Sequence, residues 1–474
     1  LRFRRAKLAS AISSKGDTSG RGDDRKEGRI NEITEGSILR GLLEVSLPVM
    51  AGNMLQSVLE IVDLYFVGRL GPQAIAGVAM SGTVIMVLMT LIIGLVTATT
   101  AHISRHYGAK EYEPMGSVLV NSLYLGLLIS AILSIIGLFF SEDILLLMGA
   151  EGAVATLGSQ YLYTLLLGVF TMVELWIISA SFQSTGDATT PMLIMLLMNM
   201  VNIVLDPALI FGLGGLPALG VAGAALATVL SRGLGLAIAL AILLRGGTRL
   251  VLPKLPGLRI DLAARLLQLA IPNSVQSGIR SLSFLAVMTI VAVYGTEAIS
   301  AFGIAARMEM VALMPGFGIA TGTAVVVGQN LGARSPKRAE EGVRISLILY
   351  GAMMAMTSLV FYNLGGRIME IFDPSGSSTA IGAGYFHIVS FGYVFIAVAI
   401  VLSFAMNGAG DTLKPMYATL VSMALILIPL ALILPGLLGI GIEGVWWASA
   451  LGMVSQCLMM AYLYRKGGWK RVRI

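Results

Sequence analysis

From about residue 42 onward the chain is a succession of apolar runs, each closed by a short polar or glycine-rich turn. A hydrocarbon core takes roughly 20 helical residues to cross. The pattern predicts twelve spans, near 43–67, 74–100, 116–140, 157–182, 190–212, 220–244, 267–293, 298–326, 341–363, 379–406, 415–435 and 442–464. Nothing shows the ~10-residue alternation of an outer-membrane barrel strand, so the expected fold is an all-α integral membrane protein. One run is unlike the rest. Met192 to Gly212 reads MLIMLLMNMVNIVLDPALIFG and carries Asn199, Asn202 and Asp206 at spacings of three and four, which places all three on one helical face. Pro207 follows and removes the hydrogen bond to the carbonyl of Ile203, leaving a bend and a free acceptor beside the carboxylate. An acid inside a span is expensive enough to be read as functional by default. The competing reading, a turn at Leu205-Asp206-Pro207, is disfavoured by the apolar Ala208-Leu209-Ile210-Phe211 beyond it.

Composition sharpens this picture. Of 474 residues, 56% are hydrophobic and 12% charged, about half the charge of a soluble domain, and mean hydropathy is +0.86. The single cysteine, Cys457, excludes an intrachain disulfide or a cysteine-rich metal cluster, and three scattered histidines do not suggest haem or a binuclear metal. The net charge of +6 would hint at nucleic acid in a soluble protein; here topology accounts for it and no nucleic-acid partner is expected. With the N-terminus inside, 27 of the 32 Lys/Arg fall on the tails and cytoplasmic turns, against Arg69 and Arg367 outside and Arg232, Arg280 and Arg307 within spans. That bias predicts a multi-pass cytoplasmic-membrane protein with both termini in the cytoplasm. Residues 1–40 carry ten Lys/Arg and no apolar core of the kind a cleavable signal needs, and are expected to form a disordered cytoplasmic tail.

The chain also repeats itself. A shift of 224 residues carries Pro48 onto Pro272, Gly71 onto Gly295, Gly108-Ala109-Lys110 onto Gly332-Ala333-Arg334, Gly186-Asp187 onto Gly410-Asp411 and Pro191 onto Pro415. Only the loop before the sixth span breaks register, with Gly223 to Thr228 matching Gly444 to Ser449 at a shift of 221. Six spans per repeat is an even number, so both halves insert the same way. The expectation is two six-helix bundles, 41–266 and 267–474, related by a pseudo-twofold axis along the membrane normal with the route between them. The same shift puts Asp63 on Val287 and Asp206 on Leu430, so these acids look like a device added to one half of a scaffold. Asp187 and Asp411 recur in equivalent turns and read as helix or turn caps.

VDLYFVGRLGPQAIAGV after span one, the GD-x-x-x-P turns before spans five and eleven, NIVLDPALIFG, GAALAT in span six and GQNLGA after span eight resemble multidrug and toxic compound extrusion (MATE) transporters over about residues 36–465. The resemblance implies a twelve-helix exporter that expels cationic amphipathic compounds in exchange for H⁺ or Na⁺ by alternating access. It further implies a coupling site made of Asp63, Asn202, Asp206 and Thr228, with Na⁺ as one candidate occupant. Asn199 and Glu60 are further candidates, Glu60 because it stands where the family often has an asparagine. Acids are lacking in spans 267–293 and 379–406, so the arrangement is similar to the DinF-type branch, with coupling in the N-terminal lobe.

Two carboxylates in a low-dielectric site cannot both carry a bare charge; one takes a proton, or a cation sits between them. Asn202 and Thr228 add neutral oxygens that suit Na⁺, and the residues leave H⁺ and Na⁺ both open. Pro48 and Pro207 interrupt the backbone ladders of the two acid-bearing helices and are candidate hinges, with static kinks as the plain alternative. The 26 methionines suit either an adaptable drug pocket or ordinary packing. Arg307 and Glu309, two apart, cannot share a face, and a structural bridge to other helices is expected of them. The competing transporter class is a lipid-linked saccharide flippase, for which Arg280 and Arg232 are the only phosphate-binding candidates. An intramembrane enzyme would need a nucleophile–base pair or metal site within the spans, and none is visible. The expected working form is a monomer in the bilayer, without cofactor, binding small organic cations.

Overall fold

The computed structural model describes residues 33–246, 248–250, 252, 257–373, 376–472 and 474; the tail expected over residues 1–40 therefore lies mostly outside the described residues. The described residues form helices joined by short turns, in elements α1 (Ile38–Gly68), α2 (Pro72–Gly108), α3 (Tyr112–Leu147), α4 (Gly152–Leu167 and Val169–Ser184), α5 (Thr189–Phe211), α6 (Val221–Leu244), α7 (Ile260–Ala292), α8 (Thr296–Gly332), α9 (Pro336–Phe372), α10 (Thr379–Gly408), α11 (Leu413–Leu437) and α12 (Glu443–Arg465). Eleven are long and apolar enough to cross a membrane singly, and α4 makes twelve if its two pieces form one span.

Several helices outrun their apolar runs. α2 continues from the expected end at 100 to Gly108, through His102, Arg105 and His106. Hydropathy marks where the hydrocarbon ends; the hydrogen-bond ladder has no reason to stop there.

The fourth span, expected near 157–182, is bent: α4 turns by 48° at Gly168. A Cβ at Gly168 would run into Val229 of α6, so glycine is what lets α6 approach. The Gly168 carbonyl accepts from the backbone N–H of Thr171 at 3.0 Å and from its hydroxyl at 2.8 Å. Position 392, one repeat later, is also a glycine pressed by a neighbour, Met453 of α12, and α10 passes through a 3₁₀ turn there, Ser390–Gly392.

The repeat extends to individual bonds. Thr99 donates to Ser122 at 2.8 Å and Thr323 to Ser346 at 2.7 Å. Ser134 donates to the carbonyl of Leu166, and Ser358 to that of Ser390. Lys110 and Arg334 both take φ near +60°, each closing a helix in the left-handed conformation that ends many helices.

The lobes meet along two antiparallel seams. On one, Ser46 and Met50 of α1 press against Gly318 of α8, and Asn53 donates to the Met314 carbonyl at 3.4 Å. On the other, Ala270 and Ser274 of α7 press against Gly94 of α2, Ser274 donates to the Leu91 carbonyl at 3.1 Å, and Thr97 to Asn273. Gly94 and Gly318 are repeat equivalents. The axis passes where Gly108 meets Gln329 and Gly332 meets Arg105, again one repeat apart. All these contacts lie between mid-membrane and the side that carries the termini. There Gln329 donates to the Ser184 carbonyl, Arg105 to that of Val472, and Arg338 to that of Gly36. Ile33, Ile38, Leu42, Val45 and Ala188 pack with Val325 and Val326 on the same side. The chain's second half does not separate cleanly at 266: α7 begins at Ile260 and puts Ala263, Leu266 and Ala270 into the first lobe's core.

The two aspartate turns differ. Asp187 accepts from the backbone N–H of Thr190 at 3.1 Å and from its hydroxyl at 2.8 Å, which caps α5. Asp411 instead pairs with Lys414.

Asp187→Ala should destabilise the protein by about 1 kcal/mol, the usual value of a lost cap, read as a lower midpoint of unfolding in detergent. Gly318→Leu or Gly94→Leu should cost more, of the order of 1–3 kcal/mol for overpacking, because each drives bulk into the facing backbone. Gly303→Ala, in open space on the same helix as Gly318, serves as the control and should leave the midpoint unchanged or slightly raised.

Candidate functional site

α1 and α5 run in the same direction and touch along matched stripes. Gly52, Leu55, Leu59 and Asp63 recur at three or four residues on α1, as Met195, Asn199, Asn202 and Asp206 do on α5. At the first level the sulfur of Met195 lies 3.4 Å from where a Cβ of Gly52 would stand. At the next, Asn199 Nδ2 donates to the Leu55 carbonyl at 3.0 Å. Asn199 thus ties the two backbones together, leaving its Oδ1 buried without a partner.

The stripes end in the acids. Asp63 and Asp206 each stand five residues before the last residue of their helix, at matched depth in the half where the lobes do not touch. With the Asn202 amide nitrogen turned toward them, it donates to Asp63 Oδ1 at 3.0 Å and Asp206 Oδ2 at 3.2 Å. The carboxyl groups themselves face each other within hydrogen-bonding reach. Asn202 and Asp206 are both 0% exposed, and Asp206 Oδ1 has no partner. Asp63 is half-buried, open on one side. A carboxyl–carboxyl contact needs a proton or a cation between the oxygens, and the orphaned oxygen is a free acceptor at that point.

Among the described residues the other expected members make no hydrogen bond to the acids. Thr228 is buried on α6, but its hydroxyl donates to its own helix at Ala224, 3.1 Å away. Glu60 is exposed one turn before Asp63 and accepts from Gln56 at 3.4 Å. α1 and α5 run unbroken through Pro48 and Pro207. Arg307 and Glu309 part company, as their spacing requires. Glu309 accepts from the Tyr385 hydroxyl of α10 at 2.5 Å, beneath the stacked rings of Phe302 and Trp446. Arg280 keeps a buried, unpartnered Nε.

Sequence reasoning named Arg232 only as a phosphate-binding candidate and passed over Tyr161 and Glu174. Tyr161 of α4 and Arg232 of α6 lie within electrostatic reach of Asp63. The Arg232 guanidinium donates to the sulfur of Met172 at 3.3 Å and makes no ion pair among the described residues. Glu174 of α4 is buried against Gly126 of α3, with Oε1 unpartnered. An arginine and a glutamate inside spans were signals in themselves; which way they point depended on the bend at Gly168.

The family model MatE matches residues 48–208 and again 272–433, two copies in the register of the internal repeat. The chain belongs to the MATE family of membrane transporters. Among curated relatives of this transporter, a probable multidrug resistance protein, NorM, of Thermotoga maritima is 26% identical over 441 residues, covering 92% of this chain and 94% of the relative. An FAD transporter of Shewanella oneidensis is 27% identical over 396 residues, covering 83% and 87%. Among solved structures, a MOP superfamily transporter from Pyrococcus furiosus superposes with a TM-score of 0.86 at 24% identity, covering 93% and 98%; it shows the twelve-helix, two-lobe fold.

Asn202→Leu keeps the side chain's branching but removes the donor between the acids. Transport should fall at least tenfold while the unfolding midpoint moves little, because an apolar residue is no burden on a membrane helix. Leu430→Asp should not rescue Asp206→Asn, since Ile426 holds the position of Asn202 in the second repeat. Initial transport rates and thermal melts of the purified variants check both.

Proposed function

We propose that this MATE transporter exports amphipathic organic cations by antiport, with Asp63, Asn202 and Asp206 as the coupling site. The observation that carries this reading is the carboxyl pair bridged by one asparagine in a half of the first lobe that the second lobe leaves uncovered. A proton is the better-supported coupling ion. Two carboxyl groups within hydrogen-bonding reach of each other suit a proton-sharing pair. Positive charge concentrates on the side of the termini, so we place that side in the cytoplasm. The seams then close the cytoplasmic half and the lobes part outward. Proton entry at the pair would remove the demand for a counter-charge and with it the hold on a bound organic cation. α1 and α5, each with a proline inside its length, would rearrange together because Asn199 and Asn202 join them. The arrangement in one lobe is that of the DinF-type branch.

A second reading concerns the substrate. Arg232 stands beside the acids without an ion-pair partner, Arg280 has an unpartnered Nε, and one relative is an FAD transporter. These favour substrates that carry an anionic group, a class that includes flavin dinucleotides and lipid-linked saccharides.

Proteoliposomes under separately imposed pH and Na⁺ gradients test both readings. Ethidium counterflow driven by ΔpH alone, and lost in Asp206→Asn, is expected; drive by ΔNa⁺ alone would overturn the proton assignment. If FAD or a lipid-linked sugar is moved and ethidium is not, the anionic reading replaces the cationic one. Arg232→Gln should then reduce that transport at least tenfold, the equivalent of about 1.4 kcal/mol.

A further inference from the structure

The seam between α1 and α8 stops at mid-membrane, but its register does not. Ser46 and Met50 meet Gly318, Ser46 also meets Gly322, and Asn53 meets Met314. Residue numbers therefore rise along α1 as they fall along α8, as antiparallel helices require. Seven residues beyond the last touching pair, two turns on and so on the same faces, stand Glu60 on α1 and Arg307 on α8.

In this structure the helices have separated at that level. Glu60 is exposed and accepts a hydrogen bond from Gln56 of its own helix at 3.4 Å. Arg307 is exposed and forms no ion pair among the described residues. Val311, between Met314 and Arg307 on the seam, is 60% exposed. The other seam offers nothing comparable. The repeat equivalents of Glu60 and Arg307 are Phe284 and Thr83, which the same register sets opposite each other on α7 and α2.

We propose that Glu60 and Arg307 form a latch: when the lobes close on the side away from the termini, the α1–α8 seam extends by two turns and joins them in an ion pair across the cleft. The latch rests on the alternating-access reading and goes beyond it, since it depends on neither the ion nor the substrate. It also reaches the coupling site. Glu60 stands one turn from Asp63 and acts electrostatically on it, as it does on Arg232. Engaging Arg307 neutralises that negative charge, so closure of the distal side and the state of the acid pair bear on each other.

The test uses the full chain with Cys457→Ser in liposomes. Asn53→Cys with Met314→Cys is the control pair on the sealed seam. Glu60→Cys with Arg307→Cys should crosslink under mild oxidant, more slowly than the control, and reductant should restore dye transport. In a separate Val311→Cys protein, labelling by an impermeant thiol reagent reports opening. Glu60→Gln and Arg307→Gln should each raise that labelling at least threefold, and the exchange Glu60→Arg with Arg307→Glu should return it toward the parent value. No crosslink while the control pair links, or unchanged labelling in both glutamine variants, overturns the latch. Crosslinking and labelling that respond as expected without any dye transport uphold the latch and count against the export reading alone. Dye transport with neither response does the opposite.

Discussion

Close approach of backbone to backbone at a few glycines is the constraint on which this molecule rests. In a bilayer the lipid is as apolar as the side chains, so helices associate through tight packing and polar contacts. Gly94 and Gly318 let α2 and α8 reach α7 and α1, and Gly108 and Gly332 let α2 and α8 cross on the axis itself. The bundles are thereby fastened in one half of the membrane and free in the other. A seam that seals at one end and parts at the other is what a transporter needs if its lobes are to rock.

Upon that symmetric frame the chemistry is one-sided. The lobes copy each other in the pressed glycines 168 and 392, their Thr–Ser bonds and their left-handed turns, down to Lys110 and Arg334. They differ in the acids, in what Asp187 and Asp411 hold, and in the charged positions on a single seam. Parts that maintain shape recur; those suited to carrying an ion or setting a state occur once. The same division explains why Asn199 and Asn202 matter beyond their own polarity, since each couples the backbone or carboxylate of α1 to α5.

Much of this was legible in the residues. Twelve apolar runs and a gapless shift of 224 residues specify two equivalent bundles. The three- and four-residue spacing of Asn199, Asn202 and Asp206 specifies a buried polar stripe, and the structure brings Asp63 to its end. The rest was hidden for physical reasons. Hydropathy measures solvent preference and is blind to chain direction, so the bend at Gly168 left no trace in it. The repeat did leave one, a glycine at both 168 and 392. Tyr161, Glu174 and Arg232 depend on how α4 and α6 are turned after that bend, which no single-helix period encodes. Thr228, expected at the site through family resemblance, spends its hydroxyl on Ala224 of its own helix.

The winding of α11 carries a consequence for how such a molecule can change over time. Leu420–Leu427 is wound as a π-helix, whereas the matching part of α5 is ordinary α-helix. Each i→i+5 step turns the chain less per residue than an α-helical step, so Leu430 does not stand over the face that Asp206 occupies. An acid placed at Leu430 by one substitution would therefore point in another direction than Asp206. The division of labour between the lobes is held by backbone geometry as well as by side-chain identity.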